Sequence, residues 1–178
     1  MPTCVVVGNP KPQSRTLAAA TVLMEQLTGR PPDATIDVIT LGAGLLGWGD
    51  PGVAAAVATV KQADVLVVAS PTYKATYTGL LKLFLDQFGA GSLDGALTYP
   101  LMLGAGLQHA LAPELLLKPV LVEIGGSCPT QGLFLLDTDT ALTGAEQWLR
   151  TARRHLPQQY AAGAGSLPAP AAVVGEAR

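Results

Sequence analysis

Residues 3–16 read TCVVVGNPKPQSRT, and the interpretation of this stretch decides the fold. Cys4, Val5, Val6 and Val7 form a short apolar run without polar alternation, which suits a strand buried on both faces of a parallel sheet. The run stops at Gly8. Three turn-formers, Gly8, Pro10 and Pro12, then alternate with polar residues before an Ala/Leu-rich segment begins near Ser14. Glycine lets the backbone turn closely and proline stiffens a loop. A helix starting there leaves its first N–H groups without intrahelical acceptors. Strand, stiff loop and helix in that order make the first half of a βαβ unit.

The same alternation continues along the chain. Strands are predicted at 3–8, 34–40, 64–70, 99–104 and 131–136, with helices near 14–29, 52–62, 76–89, 107–124 and 140–161. Ala145, Trp148, Leu149, Ala152, Leu156 and Tyr160 recur at helical steps, with arginines between them, so the last helix packs one face on the sheet. Five strands alternating with five helices predict an α/β fold. Its sheet is doubly wound, parallel and flavodoxin-like, in the order 2-1-3-4-5, with helices on both faces. Two readings stand for 119–124: Pro119 interrupts the 107–124 helix, and the segment is either a kinked helix or a strand. Residues 1–161 read as one domain and 162–178, rich in Ala, Gly and Pro, as a flexible tail.

Composition narrows the function. The chain has 178 residues, 49% of them hydrophobic, and a formal charge of −2. That balance lacks the basic footprint of a nucleic-acid binder. Its two cysteines form neither a disulfide framework nor a metal cluster. No signal-peptide pattern and no apolar run of about 18 residues occurs, so a cytoplasmic protein without membrane attachment is expected.

Ligands of open α/β sheets bind at the carboxyl ends of the strands, beside the switch point. The GNPKPQSRT loop lies at such an end, and Asn9, Lys11, Ser14, Arg15 and Thr16 are placed to surround a phosphate in front of the helix N-terminus. The plainer alternative is an ordinary capped helix, with Ser14 on the backbone donors and both cations solvated. GAGLLG, residues 42–47, matches a dinucleotide fingerprint letter for letter but is rejected: WGDPG follows at once and no helix can begin inside the motif. Trp48 beside it is left to line a site or an interface. The third constellation is SPTYKATYTGLLKLFLD, residues 70–86. Pro71, Thr72, Tyr73 and Lys74 make a stiff turn whose amides suit a flat polar ring, and Gly79 in the helix suggests a steric requirement.

GNPKPQSRT and SPTYKATYTGLLKLFLD, with LGAGLQHALAPELLLKPVL after the fourth strand, resemble the NADPH-dependent FMN reductase family, and within it the flavin reductases of two-component sulfonate monooxygenase systems. The resemblance runs from about residue 3 to about residue 156. It implies that Lys11, Ser14, Arg15 and Thr16 hold the FMN phosphate, Pro71, Thr72, Tyr73 and Lys74 border the isoalloxazine, and Gly104, Ala105 and Gly106 line its other side, both loops acting mainly through backbone groups. Where the family usually has Ser, Pro and Arg after the glycine, this chain has Asn9, Pro10 and Lys11, and lysine lacks the bidentate fork of arginine. Tyr77 is implied to insert one residue into its helix as a π-bulge at a subunit interface, a modulator of flavin retention; the alternative is an ordinary core or interface aromatic.

The implied chemistry is hydride transfer from NADPH or NADH to flavin N5, carried by the cofactor, with no obligatory acid or base in the protein. Lys74 is either part of the field around the ring or a solvated lysine. His155 reads as structural, and His109, near the presumed site, is given no role. The implied role is supply of reduced FMN to a partner monooxygenase by a homodimer or homotetramer, for which the apolar helix 79–88 offers a face. Two alternatives remain: a reductase that retains FMN and acts on quinones, azo dyes or metal oxyanions, and a non-enzymatic flavodoxin-like electron carrier.

Overall fold

A computed structural model describes residues 1–139 and 142–161, apart from the side chains of 159 and 161. Its five strands are β1 (Thr3–Val7), β2 (Ala34–Asp37), β3 (Val65–Pro71), β4 (Leu97–Gly104) and β5 (Leu133–Leu136). All pair in parallel in the order β2-β1-β3-β4-β5, as predicted. Val5 stands opposite both Thr35 and Val67, and Val67 opposite Tyr99. Alternate residues of the central strands feed two separate cores. Cys4, Val6, Leu66, Val68 and Met102 meet Leu81, Phe84, Leu117 and Leu121 on one face. Val5, Val67, Tyr99 and Leu101 meet Leu23, Met24, Leu27 and Leu149 on the other. Because both faces are covered, the strands read as continuous apolar runs.

The helices begin where local chemistry allows. Helix α1 (Arg15–Thr28) is capped by Ser14 and stopped by Gly29, whose φ of 76° suits a residue without Cβ. Asp50 caps α2 (Pro51–Lys61), with Pro51 in the first turn. Thr78 caps α3 (Gly79–Leu85), its Oγ1 accepting the Leu81 N–H at 3.1 Å. The helix predicted from 76 therefore starts at 79, and Tyr77 lies in the extended lead-in, half-buried against the core. No π-bulge forms there.

The π-turn lies elsewhere. The predicted helix 107–124 is a 3-10 turn (Leu107–His109), a π-turn (Pro113–Leu117) and helix α4 (Lys118–Glu123). The Lys118 N–H reaches back to Pro113 O, five residues away, just before Pro119, which has no N–H to continue the ladder. Thus 119–123 is helical, Ile124 is its C-cap, and the strand reading is set aside. Glu114 pins this turn: Lys118 Nζ donates to its Oε1 at 2.9 Å and the Gly132 N–H to its Oε2 at 2.6 Å.

Strand β2 ends three residues before its predicted limit because the chain coils into a 3-10 segment (Val38–Leu46) as the Thr40 hydroxyl donates to Asp37 O at 2.7 Å. The GAGLLG stretch is mostly inside that coil, which agrees with its rejection as a fingerprint. The long final helix is instead α5 (Glu146–Arg153) and α6 (Gln158–Ala161), separated around Pro157. The predicted tail, 162–178, lies outside the described residues. No described helix is long and apolar enough to cross a membrane.

Candidate functional site

The sheet order makes the chain wind outward in opposite directions from β1 and β3, so the loops leaving these neighbouring strands part and open a crevice. A cleft of about 390 Å³ lies there, within the roughly 300–1,000 Å³ usual for small-molecule sites. The β1 loop supplies Asn9, Lys11, Ser14, Arg15 and Thr16; the β3 loop supplies Pro71, Thr72 and Tyr73; the β4 end supplies Gly104 and Ala105. Ten predicted residues thus meet in one cleft, while Lys74 and Gly106 stand outside its lining.

The β1 loop is held rigid from within. Asn9, buried, donates through Nδ2 to Thr16 Oγ1 at 3.0 Å and accepts the Lys11 N–H at 2.9 Å. The Gln13 N–H donates to Asp37 Oδ2 at 3.2 Å, although Gln13 sits at a φ of 50°. Asn9 therefore braces the loop. Ser14 caps α1 through its Oγ, and since a hydroxyl also donates, capping leaves its proton available to an anion. Lys11 is exposed and its ammonium makes no hydrogen bond among the described residues. With the unpaired first amides of α1, this set suits a phosphate.

The β3 loop departs from expectation. Its first amides are spent, Thr72 N–H on Leu103 O at 2.6 Å and Tyr73 N–H on Thr76 O at 2.8 Å. Neither can serve a ring. What Thr72 offers instead is its hydroxyl: Oγ1 is buried, lines the cleft loop and has no partner, and such an orphan calls for a ligand or water. Tyr73 is 51% exposed at the mouth. Lys74 and Ala75 turn the chain with φ of 51° and 70°, and Lys74 is exposed.

Gly104 has no Cβ because one would stand 2.8 Å from Phe134 Cζ. Gly106 precedes the Leu107–His109 turn. A Cβ on Gly79 would meet nothing within 4 Å, so the steric requirement expected there is absent.

Three lining residues were not singled out from sequence: Gln13, Leu103 and Asp137. Asp137 had one legible signal, its place immediately after β5 on the rim where all the other loops emerge. Arg15 donates from Nη1 to Asp137 O at 3.0 Å and from Nη2 to Oδ2 at 3.2 Å.

Other candidates offer less. A cleft of about 400 Å³ between α3 and α4 is lined by Leu85, Phe88, Pro119 and Ile124, and its Lys82 is already paired with Asp86. His109 lines a separate hollow of about 160 Å³ with Leu111 and Leu115, and His155 is exposed beyond α5. Burial pushes the Cys4 thiol up to about 12 and the Cys128 thiol up to about 11, so neither is a thiolate nucleophile at neutral pH. Trp48 is 77% exposed and away from the cleft.

Comparison with known proteins bears on the same cleft. The chain matches the model of the family described as NADPH-dependent FMN reductase over residues 1–141. It is 40% identical over 79 residues to the FMN reductase (NADPH) of Escherichia coli (strain K12), covering 44% of this chain and 41% of that protein. The matched region thus spans well under half the length of that relative. Against the NADH-dependent FMN reductase SfnF of Pseudomonas putida, identity is 30% over 138 residues, 73% of this chain and 74% of that one. The crystal structure of the apo form of NADH:FMN oxidoreductase (EMOB) aligns with a TM-score of 0.75 at 30% identity, covering 89% of this chain and 92% of the other. Since the family match takes in every strand and every loop that lines the cleft, the chain belongs to the NADPH-dependent FMN reductase family.

Proposed function

We propose that this chain is an NAD(P)H-dependent FMN reductase and that it passes reduced FMN to a separate flavin-dependent monooxygenase. The observation that carries the reading is the polarity of the cleft: cations and free helix amides gather at the β1 end, and the orphaned Thr72 hydroxyl and the Gly104–Ala105 wall lie at the other. FMN has the same division between a dianionic end and a flat ring. In this reading Lys11, Arg15, Ser14 and Thr16 hold the phosphate, while Thr72, Tyr73, Gly104 and Ala105 border the ring.

The flavin supplies the redox chemistry when bound, accepting hydride at N5 from the nicotinamide. The chain fixes the ring at the rim with one side open to the second substrate, and it places no charged side chain in the β3 or β4 wall. The relatives' names divide between NADPH and NADH, and both are retained as reductants. Self-association as a homodimer or homotetramer belongs to the same reading. The apolar side chains Leu81, Phe84 and Leu85 of α3 are spent in the core, whereas Leu107, Leu111, Leu115 and Val122, all between β4 and β5, are exposed and offer apolar side chains to a subunit contact.

The deciding experiment records the colour of the protein as purified and then assays it, before and after flavin stripping, with each nicotinamide against FMN, FAD and riboflavin. Colourless protein that oxidises NAD(P)H only when FMN is added is the expected result. Stably yellow protein active on quinones would replace it with a flavin-retaining reductase, and bound flavin without NAD(P)H oxidation with an electron carrier.

A further inference from the structure

Among the described residues lining the cleft, Asp137 is the sole carboxylate in a site otherwise built for an anion. Its position is fixed by the sheet, since its N–H donates to Gly104 O at 2.9 Å directly beyond β5. From there it takes both ends of the Arg15 fork, through its carbonyl and through Oδ2. A guanidinium is the side chain best shaped to grip two phosphate oxygens. Here that grip is already engaged. The two side chains are 65% and 34% exposed, so the pair contributes little to folding, and a role in stability does not account for a negative charge at this mouth.

We propose that Asp137 sets the affinity for the flavin phosphate by competing with it for Arg15. The inference rests on the flavin-reductase reading above. A phosphate dianion gripped by the same Nη1 and Nη2 edge takes those donors from Asp137, and the released carboxylate then stands beside it, like charge against like. Both effects subtract from binding, and neither acts on a flavin without a phosphate. The gain falls on release: weakening one charged contact shortens residence more than it slows encounter, which suits a protein that hands its flavin on. If Asp137 instead held Arg15 in position for the phosphate, its removal would weaken binding, so the sign of the change separates the two roles.

The test is a flavin-fluorescence titration of stripped protein with FMN and with riboflavin, on wild type, Asp137→Asn, Arg15→Ala and the double variant. Asp137→Asn is expected to lower the Kd for FMN about twofold to fivefold, the scale of an exposed charge pair, and to leave that for riboflavin unchanged. In the Arg15→Ala background the gain should shrink, because the competitor has lost its object. Asp137→Ser serves as the second variant, with thermal melting as the folding check on each. An unchanged or raised Kd for FMN, or an equal shift for both flavins, overturns the inference. Wild type that binds FMN no better than riboflavin sinks the placement of the phosphate itself and the inference with it; a clear wild-type preference that Asp137→Asn fails to strengthen sinks the inference alone.

Discussion

Thr78 Oγ1 donates a 2.6 Å hydrogen bond to the main-chain carbonyl of Gly8, 70 residues earlier in the chain. The same Oγ1 caps α3 by accepting the Leu81 N–H, so one buried hydroxyl joins the end of β1 to the start of α3. The two segments touch so closely that a Cβ on Gly8 would lie 2.3 Å from Leu81 Cβ and 2.8 Å from its Cα. Gly8 is required by this approach. Gly8→Ala should cost about 1–3 kcal/mol through overpacking against backbone, and Thr78→Val a similar amount by leaving a buried carbonyl and amide without partners. Urea unfolding measures both, and a Gly8→Ala midpoint equal to wild type would disprove the close approach.

The phosphate end of the cleft has its own signature in kinetics. Lys11→Ala and Arg15→Ala are each expected to raise the Michaelis constant for FMN roughly tenfold, in line with one charge-assisted hydrogen bond, and to change that for riboflavin far less. Equal effects on the two flavins would move the phosphate to another part of the molecule.

Strain in the β3 loop predicts a gain in stability. Lys74 and Ala75 both occupy the left-handed region between Tyr73 and Thr76, whose main chains exchange hydrogen bonds of 2.8 and 3.2 Å. Such two-residue turns are usually filled by Asn-Gly or Asp-Gly. Removing the Cβ penalty at Ala75 recovers about 1–2 kcal/mol, and the added chain entropy of glycine takes back about 0.5–1. Ala75→Gly should therefore raise thermal stability slightly, and a loss would show that another contact holds the turn.

Gly79 carries the opposite lesson. It lies in the first turn of α3 with open space where its Cβ would be, so Gly79→Ala should stabilise the protein by up to about 1 kcal/mol. Destabilisation in a melting experiment would reveal a neighbour in solution that the monomer lacks.

Acid should loosen the π-turn. Burial raises the Glu114 carboxyl, but the hydrogen bond from Lys118 and the Gly132 amide outweigh it and leave its pKa below the usual carboxylate value. A pKa lowered by folding adds stability that is fully present above the unfolded value of roughly 4.3 and is lost as pH falls through the folded one. The stability difference between wild type and Glu114→Gln, followed by urea midpoints from pH 7 downward, should hold steady to about pH 5 and shrink below it. A difference independent of pH would remove the charge from the explanation.

The residues themselves determined what short-range physics controls. Apolar runs marked the strands, Ser14 marked a helix start, and strict alternation implied the parallel sheet and its order. Ten of the expected site residues meet for the same reason, because strand ends in such a sheet share one rim. Tertiary structure alone decided which groups in that rim remain free. The amides of Thr72 and Tyr73 go to Leu103 and Thr76, the π-turn forms before Pro119 instead of at Tyr77, and Asp137 meets Arg15 across 122 positions of chain. Hydrogen-bond partners and charge pairs of this kind depend on distance in space, and residues that far apart become neighbours only after the whole sheet has assembled.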